Sequence, residues 1–221
     1  MKIAGKCPPE PDELEAAGKR GFDQVELYIE REHLDNFYQT LRRIRNADVE
    51  AISVHTPHVH IKDQKAYFLL AEKLANELDA FLVFHSQYMH HVHIPQLEEL
   101  ELEPPYGYEN NPGASKRHLE ENILNQGYPM VLDTAHFFMS DPESYVEGMR
   151  DLIESYTNQI GLIHICDSTV TEDGLAFESG EMDMEAVSRM IEASSFDGIL
   201  VMEVMPEHQK DAMEKWEWYT S

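Results

Sequence analysis

YPMVLDTAHFFMSDPESYVEGMRDLIESYTNQIGLIHICDS, residues 128–168, contains two short apolar runs, YPMVLDTAH (128–136) and IGLIHICDS (160–168). Between them lies an amphipathic stretch, PESYVEGMRDLIESY (142–156). Short apolar runs bounded by turn formers read as buried strands, and apolar positions three and four apart read as one helical face. Strand, helix, strand in that order predicts a βαβ unit with two parallel strands. The pattern continues outward. Strand-like runs recur at KIAGKC (2–7), FDQVELYIE (22–30), VEAISVHTP (49–57), DAFLVFHS (79–86), PPYGYEN (104–110) and GILVMEVMP (198–206), the fifth run in chain order being the weakest. PDELEAAGKR, HLDNFYQTLRRIRN, QKAYFLLAEKLANEL, SKRHLEENILNQ and MEAVSRMIEAS supply further helical faces.

Eight such units in 221 residues leave about 28 residues each, near the low end for an eightfold β/α barrel. The expectation is an α/β chain forming one compact (β/α)8 TIM barrel domain over residues 1–221. A doubly wound open sheet is the alternative, but the G-x-G-x-x-G turn that marks many such folds is absent after the first strand. The fourth unit is irregular: SQYMHHVHIPQLEELELEPP (86–105) predicts a loop and a truncated helix. Its histidines, His90, His91 and His93, read as part of an irregular loop near the mouth.

Composition narrows the function. Asp and Glu number 42 against 17 Lys and Arg, a formal net charge of −25. Non-specific binding to nucleic acid or an anionic membrane depends on Lys and Arg, so neither is expected as a partner. Arg42, Arg43 and Arg45 read as a solvated helix face. Two cysteines, Cys7 and Cys166, suit a reducing compartment. The opening MKIAGKCPPEPDELEAAG lacks the apolar core of a signal peptide, so a cytoplasmic location is expected. No run is long enough to span a bilayer.

Strand residues alternate between faces. Ser53 and His55 share a face, as do Val83 and His85, Gly107 and Glu109, Val131 and Asp133, Leu162 and His164, and Val201 and Glu203. Six runs therefore end in a metal-competent residue on one side. Barrel active sites are built at the C-terminal ends of the strands, so the six would converge on one mouth. Asp133 taken alone also fits a helix N-cap. Cys166 reads as packing.

At these residues the chain resembles the xylose isomerase-like barrel superfamily, which groups sugar isomerases and epimerases with endonuclease IV. VELYIE, SVHTP, VFHS, YENNPG, VLDTAH, HICDS, SGEMD and VMEV occur in the superfamily's order between residues 22 and 206. The resemblance implies a metal quartet of Glu109, Asp133, His164 and Glu203. Glu109 and Glu203 would double as the acid–base pair, as in the epimerases. His55 and His85 resemble the histidines that hold a second ion in the endonuclease branch, and His136 resembles a ligand of its third. The pair completing that third site is missing, because TEDGLAFESGEMD contains no histidine; Asp167 or Asp173 would have to replace it. Ser168, Thr169 and Val170 stand where the epimerases carry a substrate-binding arginine.

The implied cofactor is one or two divalent ions, Mn, Zn, Co or Mg, which a mixed oxygen and nitrogen donor set accommodates. The implied partner is a small carbohydrate, with Glu26, Asn110 and Asp167 as substrate contacts. The expected reaction is isomerisation or epimerisation of a sugar or sugar phosphate by proton transfer beside a metal-bound carbonyl. Metal-dependent cleavage of abasic DNA and non-catalytic binding of a sugar or metal are the alternatives.

Overall fold

A computed structural model describes residues 1–85 and 93–221. His90 and His91 lie outside the described residues. Eight parallel strands follow one another in a closed barrel: β1 (Lys2–Cys7), β2 (Gln24–Tyr28), β3 (Glu50–His55), β4 (Phe81–Phe84), β5 (Tyr106–Glu109), β6 (Met130–Asp133), β7 (Ile160–Ile165) and β8 (Ile199–Met202). The helices are α1 (Pro11–Lys19), α2 (Arg31–Asp35), α3 (Phe37–Arg45), α4 (Ile61–Leu78), α5 (Ile94–Glu98), α6 (Lys116–Asn122), α7 (Thr134–Ser140), α8 (Tyr145–Ser155), α9 (Met184–Ala193) and α10 (Gln209–Thr220). The chain divides into two compact units, Ala4–Glu109 and Asn110–Ser221 together with Met1–Ile3.

In the first unit β1 through β5 pair in sequence order. β5 has four residues, as do β4, β6 and β8. The fourth unit holds a truncated helix, α5. Ile94 and Leu97 bury its apolar side, and Glu98 accepts hydrogen bonds from the hydroxyls of Tyr106 and Tyr108 at 2.8 and 2.7 Å. HLDNFYQTLRRIRN, read as one helical face, is two helices broken at Asn36 (φ −106°, ψ 36°).

In the second unit β6, β7 and β8 pair in order. Thr134, Ala135 and His136, which the sequence pattern attaches to a strand, instead open α7. Its N-cap is Asp133, whose carboxylate accepts the His136 N–H at 2.8 Å. Gly161 forms a bulge between β6 and β7, since Met130 pairs with Ile160 but Val131 with Leu162. That bulge brings Asp133 opposite His164. A Cβ on Gly198 would collide with the Gly161 carbonyl and the Phe196 ring. Gly198→Ala is therefore expected to lower stability by about 1–3 kcal/mol, the usual range for overpacking. Denaturant unfolding checks it, and an unchanged midpoint would show that the bulge gives way freely.

Candidate metal centre

Each unit gathers its own donors. In the first, His55 ends β3, His85 follows β4 and Glu109 ends β5. Each offers a ligand atom within 4.8 Å of the others'. The Glu109 carboxylate lies 3.7 Å from His55 Nε2 and 4.0 Å from His85 Nδ1. Burial, reinforced by His55, pushes the His85 pKa down to about 3. Its imidazole is therefore neutral near pH 7 and keeps a lone pair for a metal.

Sequence reasoning passed over His58. Its ring centroid lies 3.8 Å from that of His85, and His85 lies 5.1 Å from His55. The signal was the spacing in SVHTPHVH, which sets His58 three residues beyond His55 at the mouth.

In the second unit Asp133, His164 and Glu203 bring donor atoms within 4.8 Å of one another. Asp133 and His164 are buried, while Glu203 is 23% exposed and its Oε2 lies 2.8 Å from His164 Nδ1. Clustered buried carboxylates repel one another and lose hydration, and a divalent cation offsets both costs. Two carboxylates and an imidazole suit such an ion.

The remaining expected residues have definite tasks. Asn110 is fully buried. Its side-chain amide donates to the Asp133 carbonyl at 3.0 Å and accepts the Asp133 N–H at 2.7 Å. It therefore holds Asp133 in place.

Asp167 was expected at the substrate. Its carboxylate accepts backbone N–H groups of Ser168 (2.7 Å), Gly180 (2.8 Å) and Met182 (3.1 Å). That makes it the anchor of the long loop after β7. The loop is also tied to α10, where Lys215 and Tyr219 engage Glu178 at 2.9 and 2.8 Å.

Glu26 is fully buried, salt-bridged to Lys6 at 3.0 Å and hydrogen-bonded by Ser53 at 3.0 Å.

His136 Nδ1 lies 2.7 Å from the Asn110 carbonyl, an acceptor, so Nδ1 carries hydrogen and is not a metal donor. Its Nε2 lies 3.1 Å from Asp173 Oδ2. The hydrogen bond from His136 lowers the Asp173 pKa. Asp173 is thus the acidic residue that sits beside His136.

Burial raises the Cys166 thiol pKa well above 9.0, and the Asp133 and Glu203 carboxylates add to the effect. Cys7 is pushed up to about 12 by burial. Both thiols are protonated and unreactive near pH 7.

A family model described as xylose isomerase-like TIM barrel matches residues 98–220. No curated protein matches the chain. Among solved structures, a D-tagatose 3-epimerase-like protein superposes with a TM-score of 0.73 at 18% identity, covering 100% of this chain and 98% of its own. An AP endonuclease, family 2, from Brucella melitensis gives 0.71 at 13% identity, covering 100% and 99%. The IOLI protein with a binding zinc atom gives 0.69 at 13% identity, covering 100% and 96%. At these identities the likeness is one of fold. No helix among the described residues is long and apolar enough to cross a membrane.

Proposed function

Because the chain belongs to the xylose isomerase-like TIM barrel family, we propose that it is a divalent-metal-dependent sugar isomerase or epimerase. The carrying observation is the convergence of Asp133, His164 and Glu203 on donor atoms within 4.8 Å. Glu109 is the fourth ligand in this reading. It is peptide-bonded to Asn110, whose side chain clamps the Asp133 backbone. His55 and His85 would hold a second ion together with Glu109.

A bound divalent ion would polarise a ketose carbonyl and acidify the neighbouring C–H. Glu203, with its exposed edge, removes that proton, and Glu109 returns one. Return to the opposite face of the same carbon inverts it; return to the adjacent carbon isomerises the sugar. Reach comes before pKa in such transfers.

The His55, His85 and Glu109 set also fits a two-ion phosphodiesterase, the second reading. Charge argues against it, because contacts to phosphates dominate affinity for DNA. The segments joining each strand to the next helix (8–10, 29–30, 56–60, 85–93, 110–115, 166–183 and 203–208) contain no lysine or arginine.

The test is incubation of the metal-loaded protein with ketoses in deuterated water. Deuterium entering beside the carbonyl, with inversion or carbonyl migration, is the expected result. Cleavage of abasic DNA without sugar exchange would reverse the assignment. Protein purified without chelator should contain one or two metal equivalents by elemental analysis. Three tightly held equivalents would mean that His136 and Asp173 complete a further site, and would favour the phosphodiesterase.

A further inference from the structure

The first unit holds an ionic row that the reaction above does not use. Lys6 on β1 pairs with Glu26 on β2, and Glu26 with Ser53 on β3. The three side chains point to one face, since Lys6 Nζ contacts Glu26 Oε1 and Ser53 Oγ donates to Glu26 Oε2, each at 3.0 Å. His55 is two residues beyond Ser53 on that face, one layer nearer the mouth, about 7 Å along the strand. The row is thus the floor beneath the His55, His85 and Glu109 donors.

TIM barrel interiors are usually filled with Val, Ile and Leu. A buried ion pair is weak evidence for stability, because desolvation offsets its attraction. The pair is also asymmetric: the Glu26 side chain is 0% exposed and that of Lys6 is 13% exposed. Glu26 faces the protein, and Lys6 keeps an open edge. Among the described residues Lys6 and Lys2 are the only lysines or arginines on a strand, and Lys2 lies exposed at the opposite end of β1.

We propose that Lys6, positioned by Glu26 and Ser53, is the substrate contact at the floor of the site, and that the substrate is an uncharged ketose rather than a phosphate ester. Glu26, the residue expected to touch substrate, instead orients the lysine that does. The adjacent carboxylate cancels the ammonium's charge but leaves it a strong donor, which suits a hydroxyl or carbonyl oxygen. A phosphate would need cations around it. The strand-to-helix segments contain no lysine or arginine.

This inference rests on the isomerase reading, and the experiment separates the two. Calorimetry on metal-loaded protein compares D-fructose and D-tagatose with their 6-phosphates. Wild type should bind the free ketoses at least about tenfold more tightly than the phosphates. Lys6→Met should weaken the free ketoses by about tenfold or more, the effect of losing a charge-assisted hydrogen bond, with metal content unchanged. Lys6→Met alone leaves Glu26 buried without its lysine, so Lys6→Met/Glu26→Gln is measured beside it and should lose the same affinity. Tighter binding of the phosphates by wild type, or wild-type ketose affinity in the double variant, overturns the inference alone. Metal-loaded protein that binds none of the four sugars overturns the isomerase reading, and the Lys6 assignment with it.

Discussion

Asp133→Asn should empty the metal centre while leaving the fold intact. Asparagine caps a helix as well as aspartate does, so the hydrogen bond to the His136 N–H at the start of α7 survives the change. The Asn110 clamp also survives, because it grips only the backbone of residue 133. What is lost is one negative charge in a cluster that includes Glu203 and His164. Changing a residue that merely supports a metal's ligands costs about 10- to 100-fold in affinity. Loss of an anionic ligand should cost more, leaving the purified protein nearly metal-free by elemental analysis. The metal-free variant should unfold no earlier than metal-free wild type, since a source of carboxylate repulsion has gone. Full metal content would show that Asp133 serves only as a cap. His164→Ala should likewise abolish metal retention.

For Glu203→Gln the expected effect is on the reaction more than on the ion. An amide oxygen can still coordinate a cation, but it cannot take up a proton. Positioned acid–base groups contribute about 10²–10⁴-fold to rate. Deuterium exchange into a converted ketose should fall by that factor, with metal content reduced less than in Asp133→Asn. Exchange at the wild-type rate would make Glu203 a ligand only and leave the base to be found elsewhere.

Much of this molecule is written in local periodicity. Apolar runs alternating with amphipathic stretches defined the eight β/α units, because strand and helix periods depend on neighbours only a few residues away. The same alternation showed His55, His85, Glu109, Asp133, His164 and Glu203 closing their runs on one side. Helix breaks and short helices were less legible. Asn36 interrupts a stretch whose helical period continues across it, and α7 begins immediately after a strand, where its cap residue doubles as a candidate ligand.

Pairing across strands was decided only by the tertiary structure. Ile52 is skipped between β2 and β3, so Glu26 faces Ser53 and shares a side with His55; Gly161 is skipped between β6 and β7, so Asp133 faces His164. A one-residue slip moves every side chain of a strand to the other face. No pattern within a single run reveals such a slip. The residue types at the strand ends therefore belonged to the sequence. Their partners — Lys6 for Glu26, Asn110 for Asp133, three backbone amides for Asp167 — depended on register and loop paths between residues distant along the chain.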